Sequence, residues 1–337
     1  MIFEGDAKFQ AIGAFSKGPG KASSGFYNKE MVTSRDFTVS ILKLFKPGLA
    51  LDGMAGTGIR GIRIAKESGW EVILNDNNPV NSELIKENVK LNGLNAPVWN
   101  LDFNAAVAQR FWDYIDLDPY GTPVGFIENS LAHLKNHGIL GVTMTDTSVL
   151  EGKFLQKGYL RYGGIGLRGI YSKEISTRIF AAYLVKLAAS LELGSKILLT
   201  IRDKHYIRIF MQVHRGVNRA LKSIEFVKNF TLEGKTIGPL YLGDLYDKEI
   251  LDRLDLGKLS DRSKLLYGNM KNEDLMLFFY TNSINRHEIS MNEIMGRIVE
   301  MGYKAGRTNF YDKGIKTDAP YEIYHSVLLE LDSNKFI

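Results

Sequence analysis

Not one cysteine occurs in the 337 residues. That absence excludes disulfides, thiolate zinc sites and cysteine nucleophiles, and leaves six histidines as the only nitrogen ligands. His133, His137, His205, His214, His287 and His325 are scattered without metal-ligand spacing, so no structural metal is expected. An apolar run of about 18 residues, the minimum for a membrane span, is also missing. The start, MIFEGDAKFQ, lacks the basic-then-apolar order of a secretory leader. A soluble, cytoplasmic protein is the expectation. Internal repeats and low-complexity tracts are absent, so the chain divides element by element. Its length exceeds the usual single domain of about 100–200 residues, which points to two domains.

Net charge is modest at +5, but it is unevenly placed. From Glu151 to Arg215 there are 12 Lys and Arg against 4 Asp and Glu, whereas from Val217 to the end the count is 17 against 18. A charge run is ordinarily a solvated helix face. Here it is interleaved with Tyr159, Tyr162, Tyr171 and several glycines, a mixture that suits a phosphate backbone.

After a Gly/Ser/Lys-rich opening, SRDFTVSILKLF places Phe37, Ile41, Leu44 and Phe45 at helical spacing, with Ser34 as the cap. LALDG then has the character of a strand, TGIRGIRIAKESG of a helix ended by Gly69, EVILND of a strand, and NPVNSELIKENVKLNG of a helix from Pro79 to Gly93. The alternation continues through strands APVWNLD and FWDYIDLD, helix TPVGFIENSLAHLKNHG and strand GILGVTMTD. A long helix, SKEISTRIFAAYLVKLAASLELG, precedes two strands joined by a polar turn at Asp203–His205. The expected fold class is α/β: a mostly parallel sheet with an antiparallel hairpin, the architecture of Rossmann-like class I methyltransferases, followed by a smaller α+β domain. The boundary falls near Val217, giving residues 1–217, an N-terminal extension included, and 218–337.

LDGMAGTGIRG lies between the first strand and its helix, and Gly56, Gly58 and Gly61 satisfy G-x-G-x-x-G. Asp76 follows 18 residues after Gly58, a pattern that also suits a dinucleotide. Two acids shift the balance. Asp52 ends the first strand ahead of the glycines, and Asp102 closes the third. Acids at three successive strand ends face one crevice, and a negative rim suits the sulfonium of S-adenosyl-L-methionine better than it suits pyrophosphate. Asp76 is placed for the ribose hydroxyls and Asp102 for the adenine amino group.

The fourth strand delivers DLDPYG beside the same crevice. Alone, Asp-Pro-x-Gly is a turn. Next to a methyl donor it supplies what an exocyclic base amine needs, because that lone pair is delocalised into the ring. Asp118 accepts one N–H and the carbonyl of Pro119 the other, while Tyr120 offers a stacking face and Gly121 leaves the chain room to turn. Such an amine is reached by extruding the nucleotide, which needs stacking partners and phosphate grips. The basic segment after the fifth strand is the candidate grip.

These residues resemble a known family. FYN at Phe26–Asn28, SRD at Ser34–Asp36, GMAGTGIRGIR, YIDLDPYGTPVGFIENSL, GILGVTMTDTSVL and GRTNFYDKGIKTDAPYE occur in the order of the tRNA (guanine-26-N2)-dimethyltransferases of archaea and eukaryotes, from about Phe26 to about Tyr324. The resemblance implies transfer of two methyl groups from S-adenosyl-L-methionine to one guanine of tRNA. Carried over by position, it implies that Arg35 and Arg60 hold the donor's methionine part and Asp76, Asp102 and Phe103 its adenosine. It further implies that Asp118 and Pro119 orient N2, with Phe26 and Tyr120 sandwiching the guanine. The chain departs from it at Lys29, where many relatives carry proline, and near GPLYLGDLYD, where relatives often have cysteine pairs.

Three other readings fit parts of the pattern. The strand-four turn serves an amino-methyltransferase acting on adenine N6 or another guanine equally well. The glycine fingerprint alone fits a nicotinamide-dependent oxidoreductase, which leaves the aromatic turn without a task. An RNA-binding module with a vestigial cofactor fold predicts tRNA binding without turnover. The sequence does not fix the oligomeric state; a monomer is favoured.

Overall fold

Runs rich in Val, Ile and Leu form strands here because helices cover both faces of one sheet. The computed structural model describes residues 1–12, 27–281 and 289–333. A hairpin of β1 (Ile2–Glu4) and β2 (Ala7–Phe9) precedes α1 (Val32–Leu42). Strands and helices then alternate: β3 (Leu49–Asp52), α2 (Ile59–Ser68), β4 (Glu71–Asn75), α3 (Pro79–Leu91), β5 (Val98–Trp99), α4 (Phe103–Val107), β6 (Trp112–Leu117), α5 (Val124–Ala132) and β7 (Leu134–Met144). After α6 (Leu155–Tyr162) and α7 (Ser172–Ser190), β8 (Leu193–Asp203) and β9 (Tyr206–Arg215) close the sheet as a hairpin.

The strand order is β5-β4-β3-β6-β7-β9-β8. The first five run parallel and β9 runs antiparallel to both neighbours. Order reverses between β3 and β6, so the crevice outside their carboxyl ends is where this architecture binds ligands. Spacing in the sequence predicted the elements; the strand order emerges only from the pairing.

Three local expectations are corrected. The helix from Thr122 stops at Ala132, and LKNHG joins β7, with a register break opposite Trp112 and Tyr114 and a left-handed His137 at φ 67°. The strand in APVWNLD shrinks to two residues, because Asn75 draws the chain away by bonding Leu101 through both its amide nitrogen and its carbonyl oxygen. Ser34 is not a cap. Helix α1 starts earlier, at Val32, and Ser34 is buried within it, its hydroxyl accepting from Arg60 at 3.0 Å.

Beyond Arg215, α8 (Val217–Ile224) packs on β8 and α7, and the hairpin of β10 (Val227–Leu232) and β11 (Lys235–Tyr241) packs on α7. Next come α9 (Lys248–Arg253), α10 (Asp261–Met270), β12 (Tyr280–Thr281), α11 (Met291–Glu300), β13 (Ala305–Arg307), β14 (Gly314–Thr317) and α12 (Tyr321–Ser333). Strands β12, β14 and β13 form a small antiparallel sheet, beside a second core that includes Ile294, Ile298, Val327 and Leu328. Lys316 of GIKTDAP is fully buried, 3.0 Å from Glu174 on α7 and 3.7 Å from Glu273. That motif ties the C-terminal elements to the first sheet's helices. Among the described residues no helix is long and apolar enough to cross a membrane.

Candidate active site

The loop after β3 is shaped by its glycines. Gly56 and Gly58 adopt φ of 57° and 79°, where a side chain is strained. Gly61 allows α2 to press on the sheet: a Cβ there would lie 2.8 Å from Leu74. Asp76 holds this loop, since its Oδ2 accepts the Gly56 N–H at 2.8 Å while its Oδ1 accepts from the Asn78 N–H at 2.9 Å and the Asn81 amide at 3.1 Å. Asp52 is buried beneath, accepting the Gly61 N–H at 2.8 Å. Burial and the neighbouring Asp116 charge push its carboxyl up to about 7. Asp102 caps α4 by accepting from the N–H groups of Asn104 and Ala105. Phe103 is buried edge-on against Phe126, its ring so close to Gly53 that a Cβ there would sit 2.3 Å away.

Across the crevice, β6 ends at Leu117 and the DPYG turn begins. Asp118 is 21% exposed, Pro119 is buried and Tyr120 is 64% exposed. Gly121, at φ 86°, is pinned to the end of β7: its N–H donates to Thr145 Oγ1 at 2.8 Å and its carbonyl accepts from Thr145 N–H at 3.0 Å. Thr122 Oγ1 lies 2.8 Å from Tyr162 Oη on α6. The turn is therefore fixed from two sides. Partial burial, with the charges of Asp118 and then Asp76, raises the Tyr120 phenol to about 12.

Arg60 joins the two walls. Its Nη2 donates to Asp118, its Nε lies 3.2 Å from Asp116, and its Nη1 reaches Ser34 and Thr38, each at 3.0 Å. Although burial opposes its charge, Asp116, Asp118 and Asp52 hold the guanidinium more firmly protonated than usual. Below, Arg208 pairs with Asp116, which also accepts from Tyr114 Oη at 2.5 Å. Burial alone would raise Asp116; Arg208 and Arg60 outweigh it and keep the carboxyl below its ordinary value. Arg35 sits in a separate buried cluster, its Nε 2.6 Å from Glu4, which also pairs with Arg63 at 2.9 Å.

A model of the family described as N2,N2-dimethylguanosine tRNA methyltransferase matches residues 5–233 and 227–329. The chain belongs to this family. The tRNA (guanine(26)-N(2))-dimethyltransferase of Thermoplasma volcanium is 34% identical over 97% of this chain and 98% of its own length. That of Pyrococcus furiosus is 32% identical over 90% and 92%. Among solved structures, Trm1 from Pyrococcus horikoshii in complex with S-adenosyl-L-methionine superposes with a TM-score of 0.83 at 30% identity, covering 97% of this chain and 98% of that one.

In this member of the dimethylguanosine methyltransferase family, Asp52, Gly56, Gly58, Arg60, Asp76, Asp102, Phe103, Asp118, Pro119 and Tyr120 lie along the carboxyl ends of β3 to β6, in the loops that follow them, or in the first turns of α2 and α4. Arg35 is displaced from them into the Glu4 cluster, and Phe26 lies outside the described residues. Sequence reasoning missed Asp116, Arg208 and Tyr114. The available signal was a charge at an inward-facing position of an apolar strand, since Asp116 and Asp118 alternate with Leu117 in DLD. Glu4 gave none, because its partners lie 31 and 59 residues away.

Proposed function

We propose that the chain transfers two methyl groups from S-adenosyl-L-methionine to the exocyclic N2 of guanine 26 in tRNA. The observation that carries this reading is the rigid Asp118-Pro119-Tyr120-Gly121 turn, pinned at Thr145 and facing the crevice edged by Gly56 and Asp76. The residues present fit the donor: a turn through Gly56 and Gly58, at positive φ and without side chains on the crevice edge, and a rim of carboxylates suited to a cation. Asp76, Asp102 and Phe103 would hold its adenosine, and Asp52 and Arg60 would act on its methionine part. When bound, the donor supplies an electrophilic methyl group on a sulfonium.

The chain's own residues prepare the amine. Asp118 accepts one N–H of N2 and the Pro119 carbonyl the other, drawing the nitrogen towards tetrahedral geometry and aiming its lone pair. Asp118 is also placed to receive the proton that N2 sheds after transfer. Tyr120 gives the purine a stacking face, with Phe26 assigned to the opposite side. One N–H survives the first transfer, so one of the two acceptors orients it for the second while the new methyl group takes the other position. Residues 1–217 are assigned to donor binding and transfer and 218–337 to holding the tRNA, with the basic stretch from Glu151 to Arg215 gripping phosphates.

The test is direct. Purified protein is incubated with unmodified tRNA and methyl-labelled donor, the product is digested, and nucleosides are separated. Label in N2,N2-dimethylguanosine supports the reading. Label in N6-methyladenosine, or nicotinamide-cofactor binding without methyl transfer, contradicts it.

A further inference from the structure

Helix α6 is built inside out. Gly158 and Tyr162 face the protein, while Lys153 and Phe154 just ahead of the helix and Leu155, Gln156, Lys157, Tyr159 and Leu160 on it are all exposed. Its surface includes Phe154 at 42%, Tyr159 at 63% and Leu160 at 82% exposure. Leaving large apolar side chains in water forfeits burial energy, and when they cluster they mark a contact surface.

Charge identifies the partner. Between Glu151 and Glu174 the chain has five cationic residues, Lys153, Lys157, Arg161, Arg168 and Lys173, and no acid. Two of them frame one ring: Lys153 Nζ lies 5.5 Å and Lys157 Nζ 5.4 Å from the centroid of Phe154. An aromatic face flanked by ammonium groups matches a nucleotide, whose base stacks while its phosphates pair. Position identifies which nucleotides. Tyr162 bonds Thr122 of the DPYGT turn, and Arg161 pairs at 2.5 Å with Asp146, whose N–H donates to the Gly121 carbonyl. The helix is thus one wall of the mouth through which an extruded base enters.

Resting on the function proposed above, we infer that the outer face of α6 docks the tRNA strand flanking the target guanine. Phe154 and Tyr159 stack on bases unstacked by the extrusion, and Lys153 and Lys157 hold the adjoining phosphates.

Two sets of variants separate the roles, read by equilibrium binding of unmodified tRNA across a salt series. F154A with Y159A weakens binding at least about 30-fold, two lost base–aromatic stacks of about fivefold or more each, and leaves the salt slope unchanged. F154W restores affinity. K153Q with K157Q lowers the slope of log affinity against log salt by about 1.5. Unchanged thermal melting confirms folding, as these side chains are exposed. Binding of either double variant within twofold of the wild type overturns the inference. So does a loss confined to anionic phosphatidylserine vesicles or to self-association, with tRNA affinity intact. Because binding is measured without methyl transfer, failure of the enzymatic reading shows separately, as wild-type protein that binds tRNA without producing methylguanosine.

Discussion

One guanidinium carries two carboxylates: Arg60 donates to Asp118 through Nη2 while its Nε lies 3.2 Å from Asp116. The acid assigned to the amine is therefore coupled to a fully buried acid behind it, and through that acid to Arg208. A lysine has the charge but not the planar fork needed to span both partners. Arg60→Lys is expected to reduce kcat for tRNA methylation roughly 10- to 150-fold, equivalent to about 1.5–3 kcal/mol for one lost charged hydrogen bond. Steady-state kinetics at saturating donor check this, and a kcat equal to wild type refutes the coupling.

The Asp116–Arg208 pair has no solvent to fall back on, both side chains being 0% exposed. Removing one partner strands the other. Arg208→Met is expected to cost about 3–5 kcal/mol of stability, and the double variant Asp116→Asn with Arg208→Met less than the sum of the two single changes. Urea denaturation of the four proteins gives the cycle; strict additivity would show that the pair is not a unit.

Glu4 carries an acid-sensitive share of stability. Burial raises its pKa, but Arg35 and Arg63 overcome that and bring it to about 2 from an ordinary 4.5. With the folded value depressed, the stabilisation is complete above about 4.5 and disappears as pH falls towards 2. Its size is up to about 3 kcal/mol. Glu4→Gln should flatten stability against pH in that window and destabilise the protein at neutral pH, where two arginines lose their partner.

Asp52 behaves in the opposite sense. Burial and Asp116 raise it from 3.8 to about 7, so the folded state binds more protons than the unfolded state within that interval. Stability attributable to this group falls as pH rises through the same range. Asp52→Asn removes the decline, and a variant that keeps the wild-type slope between pH 4 and pH 7 would be evidence against the buried, repelled carboxyl.

Much of this was legible in the residues, and the exceptions share a cause. The strand and helix alternation, the glycine turn with its acids, and the DPYG turn at the end of β6 all rest on local spacing, which sequence displays. Helix α1 shows the limit: Thr33, Ser34, Arg35, Asp36, Thr38 and Ser40 are all buried, a polar face that meets other polar groups rather than water. Arg60 and Arg63 on α2 are likewise only 5% and 2% exposed. Apart from Glu67, one turn on from Arg63, their partners come from α1, β1, β6 and the DPYG turn, which only the fold brings together. Spacing likewise could not show that α6 turns its apolar side outward, since that depends on what the tertiary structure leaves uncovered.

The central claim is that Asp118 engages the N2 amine of an extruded guanine. Single-turnover methyl transfer tests it with two changes made separately, Asp118→Asn in the protein and inosine for guanine at position 26, which deletes the amine itself. The account predicts that the inosine substrate gains no methyl group and that Asp118→Asn slows transfer to guanine by about 10²–10⁴-fold with donor affinity within a few-fold of wild type. Transfer at the wild-type rate by Asp118→Asn, or label appearing in the inosine-26 tRNA, contradicts it.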